Sequence, residues 1–97
     1  MTTRNSDYRT LAERFVRELS KVQSERPARP GVTESGELEW VLWERIALLG
    51  LVGQARAERG LPNVEMTEIL RVEQLAVGHV DYTRKLAFGA AKLVLAN

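Results

Sequence analysis

The sequence contains no cysteine, and this absence removes several functional classes at once. Disulfide bonds, thiol catalysis and thiolate metal sites all need the cysteine sulfur, so none of them is open to this chain. Net charge is nearly absent as well, because 14 Lys and Arg residues face 13 Asp and Glu residues. A net charge of +1 creates no overall field that would gather nucleic acid or an anionic membrane.

Long apolar runs are also missing. The most apolar stretch, residues 38–52, contains Glu39, Glu44 and Arg45, which excludes a membrane-spanning helix there. Residues 1–9 lack the apolar core of a signal peptide. We therefore expect a cytoplasmic protein with no membrane association. Arg outnumbers Lys eleven to three, a coding bias typical of GC-rich genomes such as those of actinobacteria and their phages.

Helical periodicity is what the sequence does contain. Its 97 residues, 44% apolar and 28% charged, have the composition of one globular domain with a modest core, spanning residues 1–97. Apolar residues recur at three- and four-residue steps, and no stretch alternates as a strand would. The pattern predicts an all-α chain of three helices, at residues 7–24, 36–59 and 63–95: a helical hairpin followed by a long C-terminal helix. A loop rich in Pro and Gly, residues 24–36, joins the first two.

Capping residues mark the ends of the predicted helices. Ser6 suits the N-cap of the first helix, Thr33 or Ser35 that of the second, and Asn63 that of the third. Gly60 suits a left-handed stop after the second helix, since glycine adopts positive φ without steric cost.

A polar stripe follows one side of the third predicted helix and keeps its phase across Gly78. A helix break at Gly78 is the alternative, but the constant phase favours continuity. Such a helix would span about 45 Å, whereas a compact domain of this length is about 30 Å across. A second copy would then have to cover it, which predicts a homodimer or higher oligomer, assembled as a helical bundle. The stripe consists of Thr67, Arg71, Gln74, Gly78, Asp81, Lys85, Gly89 and Lys92.

The expected oligomer interface combines apolar residues of the second and third helices with one charge pair. If two copies of the third helix pack antiparallel about a two-fold axis near Gly78, Glu73 of one copy meets Arg84 of the other. The alternative is that each residue pairs within its own chain or faces solvent. The predicted interface residues are Trp43, Ile46, Leu49, Glu73, Val77, Val80, Arg84 and Phe88.

The two tryptophans and the single histidine are candidates for further roles. Trp40 and Trp43 lie one turn apart and are candidates for binding another protein, because tryptophan often dominates interface energetics. Ordinary core packing is the alternative. His79 either makes an interface pH-sensitive or, as the pattern favours, is a half-buried side chain with a hydrogen-bond partner.

No catalytic, metal-binding or cofactor-binding constellation can be assembled. Catalysis by His79 needs a partner base, acid or nucleophile on its own face, and none is placed there. The acids Glu44, Glu68 and Glu73 interrupt apolar faces, and charge pairing across helix contacts explains them best, because buried charges need partners. We therefore expect no enzymatic activity, no metal and no cofactor.

Two weak features allow a DNA-binding alternative. The first helix has a basic side formed by Arg9, Arg14, Arg17 and Lys21, although acids are interleaved with it. Residues 68–86 can also be read as a helix-turn-helix that turns at Gly78. Its second helix would begin with the possible nucleic-acid contacts Tyr82, Thr83, Arg84 and Lys85.

The sequence thus favours a small non-enzymatic association module. It would bind itself and another protein, acting as a regulator or adaptor. A DNA-binding regulator is the alternative. Duplex binding that weakens steeply as salt rises would separate the two.

Overall fold

The computed structural model describes residues 3–25 and 34–96, and this part of the chain is helical with no strand. The helices are α1 (Thr3–Ser24), α2 (Glu34–Ala57), α3 (Met66–Ala76) and α4 (Tyr82–Leu95). The all-α prediction is confirmed. The prediction of three helices is wrong, because the third predicted helix is two separate helices.

The break falls at Gly78. Its φ is +86°, a left-handed backbone conformation that is sterically unfavourable for residues with a Cβ atom. The N–H of Val77 still bonds the Glu73 carbonyl at 3.0 Å, and the N–H of His79 bonds the Ala76 carbonyl at 3.1 Å, which closes the end of α3. The continuous helix over 63–95 does not exist, so helix length no longer requires a second copy to cover it.

The end of α2 follows the prediction. Gly60 has φ +70°, and its N–H bonds the Ala57 carbonyl at 3.0 Å. The N–H of Leu61 bonds the Arg56 carbonyl at 2.9 Å. This pair of bonds is the Schellman arrangement that a glycine permits after the last helical turn. The prediction that Gly60 stops the helix is confirmed, and the chain turns there towards α3.

The predicted N-caps are wrong where they can be examined. Ser6 is the fourth residue of α1 and Ser35 the second residue of α2, so both lie inside helices. Thr33 lies outside the described residues, as does most of the predicted 24–36 loop. Asn63 lies three residues before α3, and its side chain binds the backbone of α2 instead. Its Nδ2 donates to the Leu49 carbonyl at 3.3 Å.

The helix α4 is central in the bundle. It packs most extensively on α1 and also contacts α3 and α2. Alanines on its inner side allow the neighbouring helices to approach closely. One apolar cluster joins all four helices, and its largest fully buried side chains are Phe15, Leu19, Leu48, Val52, Ile69, Leu86 and Val94.

Candidate interaction surfaces

The outward side of α2 carries three large apolar side chains that the bundle leaves exposed. Leu42, Trp43 and Ile46 are 54%, 47% and 61% exposed, respectively. Their spacing places them on one side of the helix, opposite the buried Leu48. Gly50 continues this side, and no atom lies within 4 Å of the position that a Cβ would take there. We call Leu42, Trp43, Ile46 and Gly50 the α2 face.

The two tryptophans stack on each other. The ring centroids of Trp40 and Trp43 are 5.7 Å apart and the rings are inclined by 19°. Neither ring belongs to the buried core, so simple core packing does not describe this pair. The stack extends the α2 face at one end, and a role of the pair in binding a partner stays a prediction.

The predicted contact of Glu73 with Arg84 between copies loses its geometric basis, because the helix that carried both residues breaks. Glu73 accepts two hydrogen bonds from Arg45, at 2.9 Å from Nε and 2.7 Å from Nη2. These bonds raise the pKa of the Arg45 guanidinium. Arg84 donates to Glu13 at 3.0 Å. Each residue therefore pairs within the chain, which was the alternative.

A buried carboxylate joins three helices near this ion pair. Glu44, which is only 8% exposed, accepts a hydrogen bond from the Tyr82 hydroxyl at 2.9 Å and one from Gln23 Nε2 at 3.4 Å. The Thr83 hydroxyl donates to Gln23 Oε1 at 2.9 Å. Burial, followed by the hydrogen bond to Glu44, raises the pKa of the Tyr82 phenol. Glu44 is therefore paired with neutral hydrogen-bond donors, and the prediction of a charge pair for this residue is wrong.

A groove runs between α3 and α4 and reaches the start of α1. It encloses about 750 Å³, and Val72, Leu75, Phe88 and Leu93 form its apolar lining. Five members of the predicted polar stripe line it as well, because α3 and α4 lie beside each other after the turn at Gly78. These members are Arg71, Asp81, Lys85, Gly89 and Lys92. We call this feature the α3–α4 groove.

The groove is more basic than acidic. Arg71 forms an exposed ion pair with Glu68, which lies one helical turn earlier in α3, at a nitrogen–oxygen distance of 3.5 Å. Lys85 and Lys92 also line the groove, and no carboxylate of the described residues lies within ion-pair distance of either ammonium group. Asp81 is the remaining acid of the lining.

The other predicted interface residues are scattered over the molecule. Val77 and Val80 are exposed in the turn before α4, whereas Leu49 and Phe88 are half-buried against the core. His79 is exposed at the groove, so the expectation of a half-buried histidine is wrong. Its role as a pH-sensitive group stays a prediction.

The elements of the helix-turn-helix alternative are present, because α3 ends before Gly78 and α4 begins at Tyr82. Several of the possible nucleic-acid contacts, however, pair within the chain. On α1, Arg14 donates two hydrogen bonds to Glu58, at 3.0 and 3.2 Å, and Lys21 pairs with Glu18 at 3.6 Å. The bonds between Arg14 and Glu58 raise the pKa of the guanidinium and lower that of the carboxyl. Arg9 and Arg17 remain exposed on the same helix.

Some of the residues that form these contacts and surfaces were not predicted from the sequence. Leu42 was not among the predicted interface residues, although it is as exposed as its neighbours on the α2 face. Gln23, which bonds both Glu44 and Thr83, has no distinctive signal in the sequence.

Comparison with known proteins adds no assignment. No protein-family model matches this chain, and no curated protein or solved structure is significantly similar to it. Within residues 3–25 and 34–96, no helix is both long and apolar enough to cross a membrane. The same residues contain no group of three or more histidine and carboxylate side chains placed to hold a metal ion.

Proposed function

We propose that this protein is a non-enzymatic helical association module that forms a homodimer and acts as a regulator or adaptor by binding another protein. The observation that carries the proposal is the α2 face, where three large apolar side chains are exposed side by side. Contiguous apolar patches on small proteins mark interaction sites. Tryptophan is among the residues that contribute most to binding energy at such sites.

The α2 face is suited to pairing with a second copy of itself. In an antiparallel pair of α2 helices with a two-fold axis at Ile46, Leu42 and Trp43 of one copy lie against Gly50 of the other, twice. A two-fold interface requires this kind of self-complementarity. The empty space around Gly50 leaves room for a large side chain from the partner. Two charged residues fall within residues 42–50: Glu44 is buried, and Arg45 is paired with Glu73.

The expected affinity is modest. Leu42, Trp43 and Ile46 each expose about half of their surface, so burying the rest contributes about 1–1.5 kcal/mol per side chain. Six side chains in a dimer then contribute about 6–9 kcal/mol, against an association cost of about 4–15 kcal/mol. The most favourable combination of these values leaves a net of about 5 kcal/mol, so we expect a dimer that forms at concentrations of about 0.2 mM or higher.

Solution mass tests the proposal. Light scattering should show a mass that rises from monomer to dimer with concentration. The variant Ile46→Lys should remain monomeric because it buries an unpaired charge. Val80→Lys is the matched control, since Val80 is a fully exposed apolar residue outside the α2 face. A wild type that is monomeric up to millimolar concentration refutes self-association, and a dimer lost only in Val80→Lys would move the interface to the turn. Repeating the series at about pH 5.5 and about pH 8 tests the role of His79.

The DNA-binding alternative has weaker support. The hydroxyls of Tyr82 and Thr83 are bonded to Glu44 and Gln23, so they do not present free groups to a duplex. Binding to duplex DNA at low salt, with affinity that falls steeply as salt rises, would reverse this preference.

A further inference from the structure

We propose that the α3–α4 groove binds an acidic amphipathic helix of a partner protein. The proposal rests on the role of the chain as an association module and names the chemistry of its partner. It does not depend on dimerisation, because no residue of the α2 face lines the groove.

The dimensions of the groove suit one face of a short helix. The lining follows α4 from Asp81 to Leu93, which corresponds to about 18 Å or three helical turns. Helix-in-groove recognition uses apolar anchors that recur every three or four residues over such a length. The groove offers the aliphatic side chains of Val72, Leu75 and Leu93 to those anchors within its volume of about 750 Å³.

The charges that line the groove favour a partner helix with acidic residues on both sides of its apolar stripe. Lys85 and Lys92 are two turns apart on α4, about 10 Å along the axis, and neither has a carboxylate partner among the described residues. Arg71, contributed by α3, has only an exposed contact to Glu68. Carboxylates on either side of an apolar stripe would complement these cations, whereas a basic helix would be repelled.

The same lining disfavours single-stranded nucleic acid. Bases bind such grooves by stacking on open aromatic faces. Tyr8 and Phe88 are the apolar aromatic residues of the lining, and the Arg84 guanidinium already lies over the Phe88 ring, 4.8 Å from the centroid. Tyr8 packs against the same ring at 5.6 Å with an angle of 87° between the ring planes. The remaining apolar lining is aliphatic, which fits Leu or Ile side chains better than bases.

Synthetic peptides test the proposal. The probe is a labelled helical peptide of three to four turns with leucines along one side and glutamates on both flanks. The control peptide has lysine in place of each glutamate. Fluorescence anisotropy should show binding of the acidic peptide that weakens with salt, and much weaker binding of the basic one. Amide shifts in NMR spectra should change along α3 and α4.

Charge reversal identifies the groove as the site. The double variant Lys85→Glu, Lys92→Glu should bind the acidic peptide about tenfold more weakly, because two attractive contacts become repulsive. Lys21→Glu is the matched control, since Lys21 is exposed on α1 and lies outside the groove lining. Equal binding of both peptides, an unchanged affinity in the double variant, or preferential binding of a single-stranded oligonucleotide would each overturn the proposal.

The two proposals fail separately. A monomeric wild type that binds the acidic peptide refutes dimerisation through the α2 face and supports the groove proposal. A dimer that binds neither peptide refutes the groove proposal and leaves dimerisation intact. Ile46→Lys should lose the dimer and keep its affinity for the acidic peptide.

Discussion

Replacing Arg56 with methionine should destabilise the fold more than any other change of a single charged residue on α2. Arg56 is only 8% exposed. Its Nη1 donates to the carbonyls of Leu93, Val94 and Ala96 at 2.8, 3.2 and 2.9 Å, and its Nε donates to the carbonyl of Pro62. One side chain thus supplies donors to the C-terminal end of α4, where the last carbonyls of a helix lack the usual N–H four residues on. The Leu93 carbonyl also accepts from the N–H of Ala96, at 3.3 Å.

The magnitude follows from these contacts. A hydrogen bond from a charged donor is worth about 1.5–3 kcal/mol, and several bonds from one group do not add fully. A cation at a helix C-terminus contributes about 0.3–1 kcal/mol more. Because water can reach part of this helix end, we expect Arg56→Met to lower the free energy of unfolding by about 3–5 kcal/mol. That is a large share of the roughly 5–15 kcal/mol available to a small domain.

Urea unfolding followed by far-UV circular dichroism measures this loss. Arg59→Met is the matched control, one turn further along the chain. Arg59 pairs with the exposed carboxylate of Asp7 at 2.7 Å, and such surface pairs contribute about 0–1 kcal/mol. If Arg56→Met costs no more than Arg59→Met, the proposed capping of α4 by Arg56 does not stabilise the fold and the reasoning is refuted.

Four other substitutions have expected outcomes in the same assay. The pKa of Tyr82 in the fold lies above its ordinary value of 10.0, so the stability that the neutral phenol contributes is complete below about pH 10 and is lost as the pH rises further. Wild type should therefore lose more stability than Tyr82→Phe between about pH 9 and about pH 11, and equal losses would contradict this. Gly78→Ala should cost about 1–2 kcal/mol because of its positive φ, and no loss would argue against the turn. Gly89→Ala puts a Cβ 2.6 Å from Val72 Cγ1 and should destabilise the fold. Gly50→Ala places its Cβ in open space and should stabilise the fold by about 0.5–1 kcal/mol. If Gly89→Ala were the more stable of these two variants, the packing of α3 on α4 would be refuted.

The helices α1 and α2 could be predicted from the sequence because their signals are local. Apolar spacing located both elements to within a few residues, and Gly60 marked the end of α2 through its tolerance of positive φ. The N-cap of α3 could not be predicted in this way. Asn63 looked like a cap, but its side chain bonds α2, a contact that depends on where the chain returns.

The candidate surfaces were harder to predict, for a different reason. The central part of α2 is apolar on all sides, so no periodicity separates the buried Leu48 from the exposed Leu42 and Ile46. Only the positions of the other three helices decide which side stays open. The α3–α4 groove exists only in the folded chain, because Leu75 and Phe88 come together through the turn at Gly78.

The polar stripe shows why constant phase is poor support for a continuous helix. Its phase is unbroken across Gly78, yet the helix ends there and α4 begins again at Tyr82. Both helices bury their apolar sides in the same core, so each must turn its polar side outward, and the linking turn brings the two polar sides to one groove. A constant phase therefore indicates which side of each helix faces the core, and it does not show that the helix is continuous. For the same reason, the case for a second copy cannot rest on the length of a helix, and the exposed side chains of the α2 face are an independent reason to expect one.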